Sequence, residues 1–148
     1  MNRKRKSART PSHQPFESRR NSGKFAKVCD DMMLSPAWAC LNMSQRGLYL
    51  HLKGKFTKYS DGTDNRNDIS IPKSEAQALY SELRTFRKDM DALIAVGLIR
   101  CIACGYTTRK PSIYGFSDRW QAYGTPGFEV PPEDRRPKVR PLRSSGSG

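Results

Sequence analysis

Three basic side chains and a hydroxyl lie close together within YSELRTFRKDMDALIAVGLIR, residues 80–100. They are Arg84, Thr85, Arg87 and Lys88. An arginine can donate two parallel hydrogen bonds to O6 and N7 of guanine, whereas a lysine binds a phosphate as a compact positive charge. The spacing therefore predicts a nucleic-acid surface, provided that one helix exposes all four side chains. The alternative interpretation is an ordinary solvated helix face.

Two further groups of residues could bind phosphate. Thr108, Arg109 and Lys110 stand in the turn GYTTRKP, where Thr107 and Tyr106 could add contacts. A basic arm near the N-terminus carries Arg3, Lys4, Arg5 and Lys6. Arms of this kind add phosphate contacts or enter a neighbouring minor groove. In both places the alternative is charge that only keeps the chain soluble.

The spacing of apolar residues predicts that the stretch after Tyr80 is an amphipathic helix. Leu83, Phe86, Met90 and Leu93 recur at steps of three and four, which places them on one helical face. We expect a helix from Ser81 to Val96, capped by Ser81 and ended by Gly97 in a left-handed conformation. The basic side chains then lie opposite or beside the buried stripe. Asp91, on the same exposed face, and Glu82 could orient the arginines or repel phosphate at wrong registers.

Shorter elements are predicted on both sides of this helix. Ser35 and Pro36 indicate a helix start, and a second start is expected at Ser44. ISIP reads as an extended piece, KSEAQAL as a short helix, LIRCIAC and SIYGF as two strands, and DRWQAY as a last short helix. Seven aromatic residues have spacings typical of buried faces: Trp38, Tyr49, Phe56, Phe86, Tyr114, Phe116 and Trp120.

Charge and composition divide the chain into three parts. The formal net charge is +13, and residues 1–27 hold nine Lys or Arg against one acid. Such a balance favours polyanionic partners. We expect a disordered basic arm at 1–24, one folded domain at 25–124 and a disordered Pro-rich tail at 125–148. No apolar run is long enough to span a membrane, and the N-terminus does not resemble a secretory signal.

Enzymatic chemistry has no support in the motifs. The chain has no Gly-rich phosphate loop, no H-E-x-x-H and no nucleophile elbow, so we expect no catalytic residues and no cofactor. Cys101 and Cys104 form a C-x-x-C, but no second ligand pair accompanies them, so no metal site is predicted. Cys29 and Cys40 are expected in the core, and all four cysteines are expected to be reduced thiols of a cytoplasmic protein.

The order of elements predicts a mainly α fold with a small β-hairpin, an α+β winged helix-turn-helix. SPAWACLNMSQRGLYLHLKGKF, DALIAVGLIR and SIYGFSDRWQAYG resemble segments of small winged-helix DNA-binding proteins of Gram-positive bacterial mobile elements and phages. The resemblance covers about residues 25–124. One departure is that the turn before the long helix contains no glycine.

The expected function is binding of double-stranded DNA, in control of transcription, replication or transfer of a mobile genetic element. The expected location is the bacterial cytoplasm, at the nucleoid. Three alternatives stay open at this point: an RNA- or ribosome-associated basic protein, an accessory module that docks a replication or recombination enzyme, and a host-defence inhibitor. A homodimer is also open, although the sequence shows no long helix for its interface.

Overall fold

The computed structural model describes residues 25–105 and 109–137. The helices there are α1 (Asp30–Met33), α2 (Pro36–Ala39), α3 (Met43–Gly54), α4 (Lys73–Leu79) and α5 (Leu83–Ala95). The strands are β1 (Ile69–Ser70), β2 (Ile99–Ala103) and β3 (Ile113–Phe116), and 3-10 turns span Arg119–Ala122 and Pro132–Asp134. The expected α+β class, with helices dominant, is confirmed.

The starts of the first helices show which capping signals operate. Ser35 Oγ accepts a hydrogen bond from the Trp38 backbone amide at 3.2 Å, with Pro36 in the first turn, as predicted. The predicted cap of the next helix, Ser44, is wrong. Asn42 caps α3 through a capping box, in which its side chain accepts from the Gln45 amide at 2.9 Å and the Gln45 side chain accepts from the Asn42 amide.

The turn between α4 and α5 has three residues, Tyr80, Ser81 and Glu82. Tyr80 and Glu82 both have extended backbone, with φ −130° and −128°. A turn built from extended residues requires no left-handed conformation, which accounts for the absence of glycine. The residue at the N-cap of α5 is Glu82 rather than Ser81, and its side chain makes no capping bond.

Gly97 ends α5 as the spacing predicts. Its φ is +81°, in the left-handed region. The Gly97 amide donates to the Ile94 carbonyl at 3.0 Å, and the Leu98 amide donates to the Leu93 carbonyl at 3.1 Å. These two bonds form a Schellman motif, which turns the chain directly from α5 into β2.

The sheet is antiparallel with the order β1-β3-β2. The two predicted strands form the β2–β3 hairpin, in which Ile99 pairs with Phe116 and Cys101 with Tyr114. ISIP contributes the short β1, where Ile69 pairs with Tyr114. One side of this sheet and the buried faces of α3 and α5 enclose the core.

The core confirms most of the aromatic prediction. Trp38, Tyr49, Phe86 and Tyr114 are buried, whereas Phe56, Phe116 and Trp120 are half-buried. Tyr49 lies at the centre of an edge-to-face chain, with its ring centroid 5.8 Å from that of Trp38 and 6.0 Å from that of Phe116. Met90, Leu93 and Leu98 fill the space between α5 and the sheet with no exposed surface.

The predicted boundary at Gly124 is corrected by the segment that follows it. Residues 125–137 pack on the domain: Val130 belongs to the hydrophobic core, and the Phe128 ring stands 5.0 Å from that of Tyr123. Asp134 is buried and accepts a 2.9 Å hydrogen bond from Arg119 Nε. A Pro-rich composition led to the prediction of disorder, yet apolar burial and this ion pair hold the segment.

The predictions for 1–24 and 138–148 lie outside the described residues.

Across the described ranges, the helices are too short and too polar for any of them to cross a membrane.

Candidate nucleic-acid interface

The exposed face of α5 carries the side chains that the sequence singles out. Arg84, Thr85, Arg87 and Lys88 are all exposed, while Phe86, Met90 and Leu93 on the opposite face are buried. The 3.6-residue helical period separates the two groups, as the spacing predicts. The sequence prediction of the helix face is therefore confirmed in geometry.

None of the three cations on this face forms an ion pair within the described residues. Five ion pairs occur among the described residues, and none of them includes Arg84, Arg87 or Lys88. Glu75 pairs with His51 and Lys55, and Asp134 pairs with Arg119. Asp91, although it belongs to α5, pairs with Arg136. Positive charge thus accumulates on the first half of α5.

A buried carboxylate that the sequence analysis did not single out fixes α5 against the rest of the domain. Asp89 is only 4% exposed, and its Oδ2 accepts hydrogen bonds from Ser44 Oγ at 2.6 Å and Tyr80 Oη at 2.8 Å. Burial, with a further contribution from the bond to Asp89, raises the pKa of Tyr80 to about 12. Tyr80 is therefore a hydroxyl donor at neutral pH, and the three side chains tie α5 to α3 and to the α4–α5 turn.

A second polar cluster joins α3 to α4. Glu75 Oε1 lies 2.7 Å from His51 Nε2, and its Oε2 accepts from Lys55 Nζ at 2.6 Å. Burial works to raise the pKa of Glu75, but the hydrogen bonds from Lys55 and His51 outweigh it and lower the pKa. Glu75 thus ties α4 to α3, and Asp89 ties α5 to α3.

The hairpin tip is described only in part. Arg109 and Lys110 are exposed, whereas Thr108, Thr107 and Tyr106 lie outside the described residues. A groove of about 440 Å³ runs between α5 and the hairpin, with Arg87 on one wall and Lys110 on the other. Lys73, at the first turn of α4, also lines it. The structure therefore brings two of the predicted sites together at one groove.

The groove contains a further cation that the sequence analysis did not select. Arg136 Nε and Nη2 donate to Asp91 Oδ1 and Oδ2 at 2.7 and 2.8 Å, and Nη2 also donates to the Arg87 carbonyl at 2.9 Å. Of the two roles predicted for Asp91, orienting the arginines of its own helix is not what the structure shows, because both of its oxygens bind Arg136. The other role, repelling phosphate at wrong registers, stays a prediction. A basic residue among prolines gave no sequence signal for this contact.

The predicted role of the N-terminal arm is not tested by the structure. Arg3, Lys4, Arg5 and Lys6 lie outside the described residues, so their relation to α5 stays a prediction.

The cysteines differ from expectation in part. Cys101 is buried on β2, where burial raises the pKa of its thiol, and Cys104 is half-buried. Cys29 and Cys40, expected in the core, are exposed, and Cys40 Sγ instead accepts a 3.4 Å hydrogen bond from Tyr123 Oη. Within residues 25–105 and 109–137, no three His, Cys, Asp or Glu side chains lie close enough to hold a metal ion.

Comparison of the chain with protein-family models, with curated proteins and with solved structures finds no match.

Proposed function

We propose that this chain binds double-stranded DNA through a winged-helix domain and acts in the control of transcription, replication or transfer of a mobile genetic element. The observation that carries the proposal is the exposed basic face on the first half of α5. It combines two arginines, a lysine and a hydroxyl, and it lies opposite the buried stripe.

The arrangement of elements supports the winged-helix assignment. Two helices joined by a short turn, followed by a hairpin, are the parts that a helix-turn-helix with a wing requires. Here α4, a three-residue turn, α5 and the β2–β3 hairpin follow in that order, and β1 adds a third strand to the hairpin. In such proteins, the second helix enters the major groove with its N-terminal residues at the base edges.

The dimensions and chemistry of α5 suit that role. Its 13 residues make a rod of about 20 Å, and an α-helix fits the major groove, which is about 12 Å wide. Arg84 and Arg87 supply planar guanidinium groups for guanine edges, whereas Lys88 and Thr85 bind backbone phosphate. The bonds of Asp89 to Ser44 and Tyr80 keep the helix at a fixed angle, so base contacts need little reorganisation on binding.

The hairpin and the arm supply affinity that does not depend on sequence. Arg109 and Lys110, with Thr108, contact phosphates beside the groove that α5 occupies. Arg3, Lys4, Arg5 and Lys6 add further phosphate contacts. Each phosphate neutralised releases a counterion, so binding weakens steeply as salt rises.

Selection of bound duplexes from a random pool tests the proposal directly. We expect enrichment of a defined site, and footprinting of the chain alone on that site should give a protected region. Structured RNA at matched salt serves as competitor. RNA that displaces the duplex at equal concentration points to an RNA-binding protein instead. Retention of DNA without any footprint points to a module that depends on a partner for its position.

A charge-matched pair of variants tests the role of α5. Arg84→Ala should lose about 1–3 kcal/mol of discrimination between the selected site and unrelated DNA, the usual value of one bidentate pair. The control is Lys58→Ala, which removes the same charge from an exposed loop position. It should weaken both duplexes slightly and equally. If Arg84→Ala also affects both duplexes equally, the assignment of sequence readout to α5 is refuted.

A further inference from the structure

Asp91 stands at an unfavourable place for a surface that meets DNA. It is exposed on the same face of α5 as the basic residues, three positions after Lys88 and four after Arg87. Residues at these spacings are neighbours on a helix and readily form ion pairs. A bare Asp91 carboxylate would therefore draw Arg87 or Lys88 towards itself, and it would also repel phosphate.

Arg136 binds the carboxylate of Asp91 instead. Its guanidinium binds the two oxygens of Asp91 in the parallel geometry that favours arginine over lysine, with distances of 2.7 and 2.8 Å. A third bond, to the Arg87 carbonyl at 2.9 Å, fixes the group against the helix backbone. The Arg136 side chain is only 18% exposed, whereas that of Asp91 is 55% exposed, so the guanidinium is largely covered and the carboxylate still faces solvent in part.

The segment that delivers Arg136 is itself anchored. Val130 is buried in the core, and Asp134 binds Arg119 Nε at 2.9 Å from a buried position. Arg136 therefore reaches α5 from outside the helix-turn-helix, two residues after the Asp134 anchor.

We propose that Arg136 is a positioning residue of the DNA interface, which sequesters the carboxylate of Asp91 and so leaves Arg87 and Lys88 available to DNA. This inference rests on the proposed function and adds to it a residue outside the helix and the wing. Arg136 acts through charge on its neighbours, and its own contact with DNA is not required.

A set of variants separates this role from net charge and from stability. Binding to a labelled duplex of mixed sequence is measured for the full chain, Arg136→Ala, Asp91→Asn and the double variant Arg136→Ala/Asp91→Asn. The matched control is Arg136→Ala/Asp30→Asn, which restores the same net charge by neutralising an exposed carboxylate of α1. Arg136→Gln, which keeps most of the side-chain stem, repeats the test if Arg136→Ala does not fold, as judged by circular dichroism.

Arg136→Ala should weaken binding roughly five- to tenfold at low salt, the effect of one uncompensated carboxylate a few ångströms from the cations. Asp91→Asn in the same chain should restore the affinity to within about twofold, whereas Asp30→Asn should not. Rescue specific to Asp91 supports the proposal, because a merely structural role of the ion pair predicts no rescue.

Other results overturn the inference. Equal rescue by Asp30→Asn would mean that only net charge matters, and no rescue by Asp91→Asn would mean that Arg136 touches DNA itself or only holds the fold. Binding that is unchanged or tighter in Arg136→Ala would mean that Arg136 is irrelevant or covers the surface. If the unaltered chain binds no duplex, the proposed function fails, and this inference fails with it. If the unaltered chain binds the duplex but the variants give any of the contrary results above, only this inference is overturned and the proposed function stands.

Discussion

Replacement of Gly97 by alanine tests the junction that sets the angle between α5 and the hairpin. Gly97 has φ +81°, and a Cβ added there would stand 2.7 Å from the Trp120 backbone nitrogen and 2.8 Å from the Arg119 carbonyl carbon. Both neighbours are backbone atoms, and the Trp120 amide is held in place by its 3.0 Å hydrogen bond to the Gly97 carbonyl. The close contact therefore cannot be relieved by rotating a side chain.

The expected loss follows from two contributions. An L-residue in the left-handed region costs about 1–2 kcal/mol, and relief of the backbone overlap costs about 1–3 kcal/mol more. The lower entropy of alanine in the unfolded chain offsets about 0.4–1 kcal/mol. We therefore expect Gly97→Ala to lower the free energy of unfolding by about 1–4.5 kcal/mol, and to lower Tm by roughly 4–8 °C for each kcal/mol lost.

Urea denaturation followed by circular dichroism measures this loss, with Gly47→Ala as the matched control. Gly47 lies within α3 and is exposed, and a Cβ there would meet no atom within 4 Å. Alanine at that position should stabilise the domain by about 0.5–1 kcal/mol, because it favours the helix. A Gly97→Ala protein within about 0.5 kcal/mol of the unaltered chain would refute the description of this junction.

Two further predictions concern pH and salt. The pKa of Glu75 in the folded domain lies below its ordinary value of 4.5, so its ionised form stabilises the fold above that pH, and this contribution disappears as the pH falls through the lowered value. Glu75→Gln should therefore be less stable than the unaltered chain at neutral pH, and the difference should shrink on acidification; a difference that is constant across the titration would contradict the assignment. Removal of residues 2–20 should weaken binding to every duplex and reduce the slope of log affinity against log salt, as measured by fluorescence anisotropy. An unchanged slope would exclude the arm from phosphate binding.

The sequence predicted correctly those structural features that depend only on residues close together in the chain. The Ser35–Pro36 start, the Gly97 stop and the buried stripe of α5 each depend on residues within one or two helical turns, and all appear as expected. The start of α3 was missed although its signal was present. Asn42 and Gln45 have the spacing of a capping box, which competes with Ser44 as a cap and prevails.

The residues that the sequence analysis missed depend on contacts across long stretches of chain. Asp89 falls on the buried side of α5, where a charge is unexpected. The hydroxyls of Tyr80, in the preceding turn, and of Ser44, 45 residues away, explain it by donating to its carboxylate. Arg136 lies 45 residues from Asp91 within a Pro-rich stretch, and composition alone predicted disorder there. Such contacts depend on how the helices and strands pack in three dimensions, and a pattern of neighbouring residues in the sequence does not predict that packing.

The anchoring of Val130 and Asp134 matters for anyone who handles this protein as a reagent. A reporter or affinity handle attached directly after Gly124 would replace a buried valine and would leave the Arg119 guanidinium without its buried carboxylate partner. Fusions and domain exchanges are better joined beyond Pro137, so that the segment with Val130, Asp134 and Arg136 is retained whole.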